Sequence, residues 1–132
     1  MVSMKSVAVP ILAALMMPAC VSNSPVSVED RTLRYGCNDL VVVGRIIENG
    51  AYEPVQDDDD LIGHAWVSAR IKVKKVLKGA DIPAVLPVRY FAHVHMREDR
   101  DFMFVIRSAE KGYEIETGQL MSVHPRLAAR CD

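Results

Sequence analysis

Four groups of residues have the types and spacing that chemistry needs. His93 and His95 stand two apart. On a strand that spacing puts both rings on one face, where they could grip one metal ion with His64 as a third ligand from a neighbouring strand. The alternative is a histidine pair beside a turn that binds nothing. Asp57-Asp58-Asp59-Asp60 is a second group, one that could attract Ca²⁺. An EF-hand loop, however, spaces its acids, with glycine at position 6 and glutamate at position 12. Gly63 is the seventh residue from Asp57 and no glutamate follows in reach, so the segment reads as a solvated loop. The third group is basic and aromatic. Trp66, Arg70, Lys72 and Lys74 fall on alternate positions, with Arg89 and Phe91 two apart further on. A large aromatic beside cations is the usual make-up of a contact hot spot. The fourth group would be catalytic, and it lacks coherence. Ser68, Ser108 and Ser122 have no nucleophile-elbow context. Ser122 and His124 alone define no triad. Glu114 and Glu116 read as a solvent-facing pair rather than a dyad. The expectation is a non-enzyme without cofactor or resident metal.

The amino end says where such a surface would work. Lys5 precedes an apolar stretch over residues 7–17, interrupted by Pro10 and followed by Ala19 and Cys20. Its length suits a signal-peptide core and falls short of a membrane span. Leu15-Met16-Met17-Pro18-Ala19-Cys20 resembles the lipobox of bacterial lipoproteins. The resemblance implies cleavage before Cys20, lipidation of its sulfur and often acylation of its amine by a palmitate-type chain. Residues 1–19 are then a signal peptide, residues 20–27 a lipid-anchored tether and residues 28–132 the folded domain. Val21 follows the cysteine, and by the same resemblance the anchor lies in the outer membrane facing the periplasm. Ordinary secretion, or a soluble periplasmic product, is the alternative. With Cys20 lipidated, Cys37 and Cys131 remain, 94 positions apart at the domain's edges. An oxidising compartment lets them form a disulfide bond; two buried free thiols are the alternative.

The elements that must position these residues read as strands. The chain has 132 residues, 50% hydrophobic and 25% charged, with a formal net charge of −1, too apolar and too neutral for a disordered chain or a dedicated nucleic-acid binder. Ala65, Val67, Ala69, Ile71 and Val73 alternate with Trp66, Ser68, Arg70, Lys72 and Lys74, a period of two. Residues 40–43 form a β-rich apolar run, then Gly44 suggests a bulge or bend. Asn49-Gly50 predicts a turn. Leu86, Val88, Tyr90, Ala92 and Val94 form an inner face opposite Arg89, Phe91, His93 and His95. Residues 102–106 and 113–116 complete the set, with Leu120, Met121 and Val123 beyond. Ser27-Val28-Glu29-Asp30 predicts a helix start running to about Tyr35, and residues 125–130 a helical turn. The fold class is all-β, a small five-stranded OB-like barrel with one or two short flanking helices.

Three segments carry a family resemblance: Asp39-Leu40-Val41-Val42-Val43-Gly44-Arg45; Ile71-Lys72-Val73-Lys74-Lys75-Val76-Leu77-Lys78-Gly79; and Asp101-Phe102-Met103-Phe104-Val105-Ile106 with Tyr113 beyond. Together with their order they resemble the tissue-inhibitor-of-metalloproteinase-like, or netrin-like, OB-fold group. The resemblance implies the fold. The family's inhibitors bind a protease zinc through a free amino-terminal cysteine, and Cys20 lacks their Cys-x-Cys start, so that role is not carried over. The function expected is a non-catalytic, envelope-anchored binding module contacting a protein or envelope polymer through Trp66, Arg70, Lys72 and Arg89. The alternatives are an inhibitor of an envelope or secreted hydrolase or protease, acting through a loop such as residues 50–63, and a periplasmic metal-binding protein using His93 and His95.

Overall fold

Seven strands cover most of residues 31–131, the part of the chain that the computed structural model describes. They are β1 (Thr32–Tyr35), β2 (Leu40–Pro54), β3 (Ala65–Lys78), β4 (Val85–Ala92), β5 (Phe102–Ala109), β6 (Gly112–Leu120) and β7 (Arg126–Ala129). The signal peptide, Cys20 and the tether lie outside the described residues. Among those described, no helix is long and apolar enough to cross a membrane.

The chain is all-β, built on a five-stranded sheet in the order β2-β3-β4-β6-β5, with β5 pairing back to β2. Four of the neighbouring pairs are antiparallel and run for five or more register positions. The β4–β6 seam differs: it is parallel and rests on one pair, Arg89 opposite Glu114. Side chains pointing inward from all five strands form the main core, with Val42, Ile46, Val67, Ile71, Leu86 and Phe104 among its most buried members. The inward set expected on β3 and β4 is buried from Ala65 to Ile71 and from Leu86 to Tyr90, with Val73 and Ala92 half-buried against the core, but Val94 is not part of it. β4 ends at Ala92, and Val94 stands 62% exposed in the following turn.

β1 and β7 pair in parallel, Thr32 opposite Arg126 through Tyr35 opposite Ala129. This corrects the two expected flanking helices. The described end of the first, residues 32–35, is a strand, and so is most of the second, residues 126–129. Helical backbone among the described residues is confined to Arg31 and a 3-10 turn at Met121–Val123. The reason is tertiary. Leu33 of β1 packs with Val41, Met103 and Val105 on the outer side of β2 and β5. Both faces of that part of the sheet are therefore covered, which is why residues 40–43 and 102–106 are continuously apolar rather than alternating. Cys37 and Cys131 form a disulfide just beyond this small sheet, with Cα atoms 5.3 Å apart.

Two local features shape β2. The register slips at Val43/Gly44, as the glycine suggested. A Cβ on Gly44 would lie 2.6 Å from the Lys72 carbonyl oxygen and 2.7 Å from Ile71 Cγ2, so only glycine lets β2 approach β3 this closely. Asn49-Gly50, by contrast, is not a turn but lies inside β2. Tertiary hydrogen bonds override the local signal: the Asn49 amide donates to the Met96 carbonyl at 3.0 Å and accepts from the Tyr90 hydroxyl at 2.6 Å, while the Asn49 backbone N–H donates to Glu98 Oε1 at 3.0 Å.

Candidate functional site

Outward positions on β3 and β4 meet by register. Trp66 lies opposite Phe91 and Ser68 opposite Arg89, so Trp66 and Arg89 are diagonal neighbours. The Arg89 guanidinium sits 4.0 Å from the Trp66 ring centroid. Trp66 and Phe91 are 5.3 Å apart, and Phe91 stacks on His64 at 5.1 Å. The result is an aromatic ladder of Trp66, Phe91 and His64, closed at one end by Arg89.

Arg89 is not a free cation. Its Nε donates to Glu114 Oε1 at 3.1 Å, and its Nη2 donates to the same oxygen at closer range. Arg107 Nη2 approaches Glu114 Oε2 at 3.3 Å from the other side. The Glu114 side chain is only 7% exposed. The Arg89 guanidinium, with Arg107, holds its carboxyl below the usual range against the opposing effect of burial. Glu114 is thus no member of a solvent-facing pair. Glu116 is the exposed one, accepting from Arg130 Nη2 at 2.8 Å. Sequence reasoning missed the Glu114 role because its partners sit across the parallel seam and on the adjacent strand; alternation along the chain carries no sign of either.

Beside the ladder lies a pocket of about 570 Å³. Pro87 of β4 and Pro83 just before it supply exposed apolar lining, Leu86 and Val88 being core residues, while Ser68 and Arg70 come from β3 and Lys111 reaches in from the β5–β6 turn. Its size falls in the range of small-ligand sites, about 300–1,000 Å³. Arg70 pairs with Glu48 at 3.1 Å across the β2–β3 ladder, both side chains more than half exposed. Arg70 and Arg89 therefore share the pocket wall, and Trp66 adjoins it through Arg89. Lys72, the next outward residue of β3, lies outside the pocket, exposed and without an ion pair among the described residues. Glu48 also lines the pocket, and no histidine does.

The histidines divide. His93 lies edge-on to His64, ring centroids 5.4 Å apart, while His95 lies against Tyr52 at 6.3 Å. The two thus have different neighbours, and no group of three or more metal-ligating side chains occurs among the described residues. His64 instead completes a loop. Asp60 accepts from the backbone N–H groups of Ile62, Gly63 and His64 at 3.3, 3.1 and 2.6 Å, and His64 Nδ1 lies 3.0 Å from Asp60 Oδ1. These contacts, the His64 ring foremost, hold the Asp60 carboxyl below its usual range. The loop so fixed presents Leu61 at 95% exposure and Ile62 at 66%. Compared with known proteins, the chain matches no family model, no curated protein and no solved structure.

Proposed function

We propose that the chain is a non-catalytic binding module of a bacterial cell envelope, anchored by lipid on Cys20 at the outer membrane and facing the periplasm. It contacts a protein or envelope polymer through the outer face of β3 and β4. The observation that carries this reading is the aromatic ladder beside the 570 Å³ pocket, with Arg70 on the pocket wall. An apolar floor with a few placed polar groups is the usual make-up of a ligand site. The OB-like, netrin-like reading of the fold is supported by the strand order β2-β3-β4-β6-β5 with its single parallel seam. In OB-folds the face of the second and third strands binds ligands together with the loops after the first and fourth strands. Here β3, β4 and the β5–β6 turn match three of these elements and line the pocket, while the β2–β3 loop, which matches the other, does not line it.

The test is capture from solubilised envelopes, and binding of purified anionic envelope polysaccharide, by the wild type and by Trp66→Ala and Arg70→Glu. Both variants should lose capture while keeping the β-sheet circular dichroism of the wild type. Normal capture by both would overturn the reading. The anchor is tested separately: detergent-phase partitioning and mass spectrometry of the mature amino end should find acylated Cys20, and an unmodified Cys20 would remove the anchor. A second reading, inhibition of an envelope or secreted hydrolase, draws support from the fixed loop carrying Leu61 and Ile62. Under that reading, changes in the loop, not on β3, abolish the effect.

A further inference from the structure

The most exposed large apolar side chain among the described residues, Leu61, follows an acidic run, whereas the pocket on β3 and β4 carries more basic than acidic side chains. Leu61 and Ile62 are consecutive, and Asp60 fixes the backbone beneath them. Preceding them are Asp57, Asp58 and Asp59, exposed and without an ion pair among the described residues. The pocket is the complement. Its accessible apolar lining is Pro83, Pro87 and Tyr113, and its charged lining includes Arg70, Lys111 and Glu48, the last paired with Arg70. Lys111 has no ion pair among the described residues, and the exposed Arg70–Glu48 pair is of the kind worth little.

We infer that copies of this chain associate head to tail, the loop at residues 57–62 of one copy seating Leu61 and Ile62 in the pocket of the next, with its aspartates against Arg70 and Lys111. None of residues 51–66 lines the pocket, so it is open to another copy's loop. The pocket volume of about 570 Å³ has room for two branched aliphatic side chains. The loop is already ordered by Asp60, which reduces the entropy lost on docking. Two different patches meet in such a contact, so it propagates as an open chain unless the rotation closes a ring. A bilayer is a poorer occupant for the loop, because anionic lipid repels the adjacent aspartates. The inference shares with the proposed function the premise that the pocket binds, but it needs neither Trp66 nor an envelope ligand.

The full chain in detergent is followed by sedimentation velocity over a concentration series at low and high salt. Wild type should associate with rising concentration, and salt should weaken the association. Leu61→Asp with Ile62→Asp removes the tip and keeps the pocket. Arg70→Glu with Lys111→Glu does the reverse. Each double variant alone should associate at least about ten-fold more weakly, a loss of about 1.4 kcal/mol. A mixture of the two should recover dimers and stop there, because only one productive contact remains. Carbodiimide coupling in a mixture of isotope-labelled and unlabelled wild type should join Lys111 of one copy to the 57–59 segment of another. A wild type that stays monomeric overturns the inference, as does association that survives in either variant. Loss of binding to phosphatidylcholine vesicles by the tip variant of a monomeric chain would assign the loop to a membrane and overturn it too. The tip variant leaves Trp66 and Arg70 in place. Its capture of envelope polysaccharide therefore reports on the proposed function separately.

Discussion

Glu114→Gln tests whether the parallel seam is held by side chains. The β4–β6 contact offers one register pair, Arg89 opposite Glu114, where the other seams have ladders. The carboxylate supplies what the backbone does not. Hydrogen bonds to a charged group contribute about 1.5–3 kcal/mol. Breaking a buried pair from one side costs about 3–5 kcal/mol when the remaining charge is sealed in. Arg89 and Arg107 keep 22% and 55% of their side-chain exposure, so water recovers part of the loss. Glutamine also keeps one oxygen acceptor. The expected cost is about 2 kcal/mol, the lower part of the charge-assisted range. For a domain of this size that lowers Tm by about 10 °C. The pH dependence has a definite sign. Glu114 is held below its ordinary value in the folded state, so its stabilisation is complete above the unfolded pKa and is lost as pH falls through the folded one. Urea unfolding with the disulfide intact, run at neutral and stepped acid pH, should show the gap between wild type and Glu114→Gln closing in acid. A variant as stable as wild type at neutral pH, or a gap that acid leaves unchanged, would refute the clamp.

Three further outcomes follow from other contacts. Cys37→Ser with Cys131→Ser opens a loop of 94 positions and should lower stability in urea by up to about 4–5 kcal/mol; thiol titration of unreduced, unfolded wild type should find neither cysteine free. Gly44→Ala drives a Cβ against the Lys72 carbonyl and Ile71, an overpacking that should cost about 1–3 kcal/mol by the same assay, and a neutral result would deny the close approach of β2 and β3. Asp60→Ala should speed hydrogen exchange at the amides of Ile62, Gly63 and His64, and wild type should show the same loosening as acid protonates Asp60; unchanged exchange would mean that the loop is ordered by something else.

The strands were legible where one face meets solvent. Residues 65–72 alternate cleanly because the core lies on one side of β3. Residues 40–43 and 102–106 were legible as strands but not as a double-sided layer. That requires knowing that β1 and β7 cover them, and β1 meets its partner 94 positions away. The helix start at Ser27 to Asp30 is a local signal, and residues 32–35 follow a non-local one: Leu33 gains a buried site only as part of a strand over β2 and β5. Asn49-Gly50 failed as a turn for the same reason, since Tyr90, Met96 and Glu98 engage Asn49 from the far end of β4 and its following loop.

The site divides along the same line, and Arg89 shows what the division means for binding. Its outward position beside Trp66 follows from alternation on two adjacent strands, and the 4.0 Å stacking contact agrees with it. That Arg89 is already matched by Glu114 depends on β6 arriving in parallel beside β4, a topological fact with no local pattern. The consequence is chemical. Counted as free, Trp66, Arg70, Lys72 and Arg89 describe a strongly basic face; with Arg89 neutralised and Arg70 facing Glu48, Lys72 at the far end of the β3–β4 ladder and Lys111 at the pocket are left without an ion pair among the described residues. Net attraction at long range is then modest, and screening at physiological salt reduces it further. Under the proposed binding reading, recognition on such a face rests on shape and apolar contact at Trp66, Phe91, Pro83 and Pro87, and its few cations orient a ligand and add little to holding it.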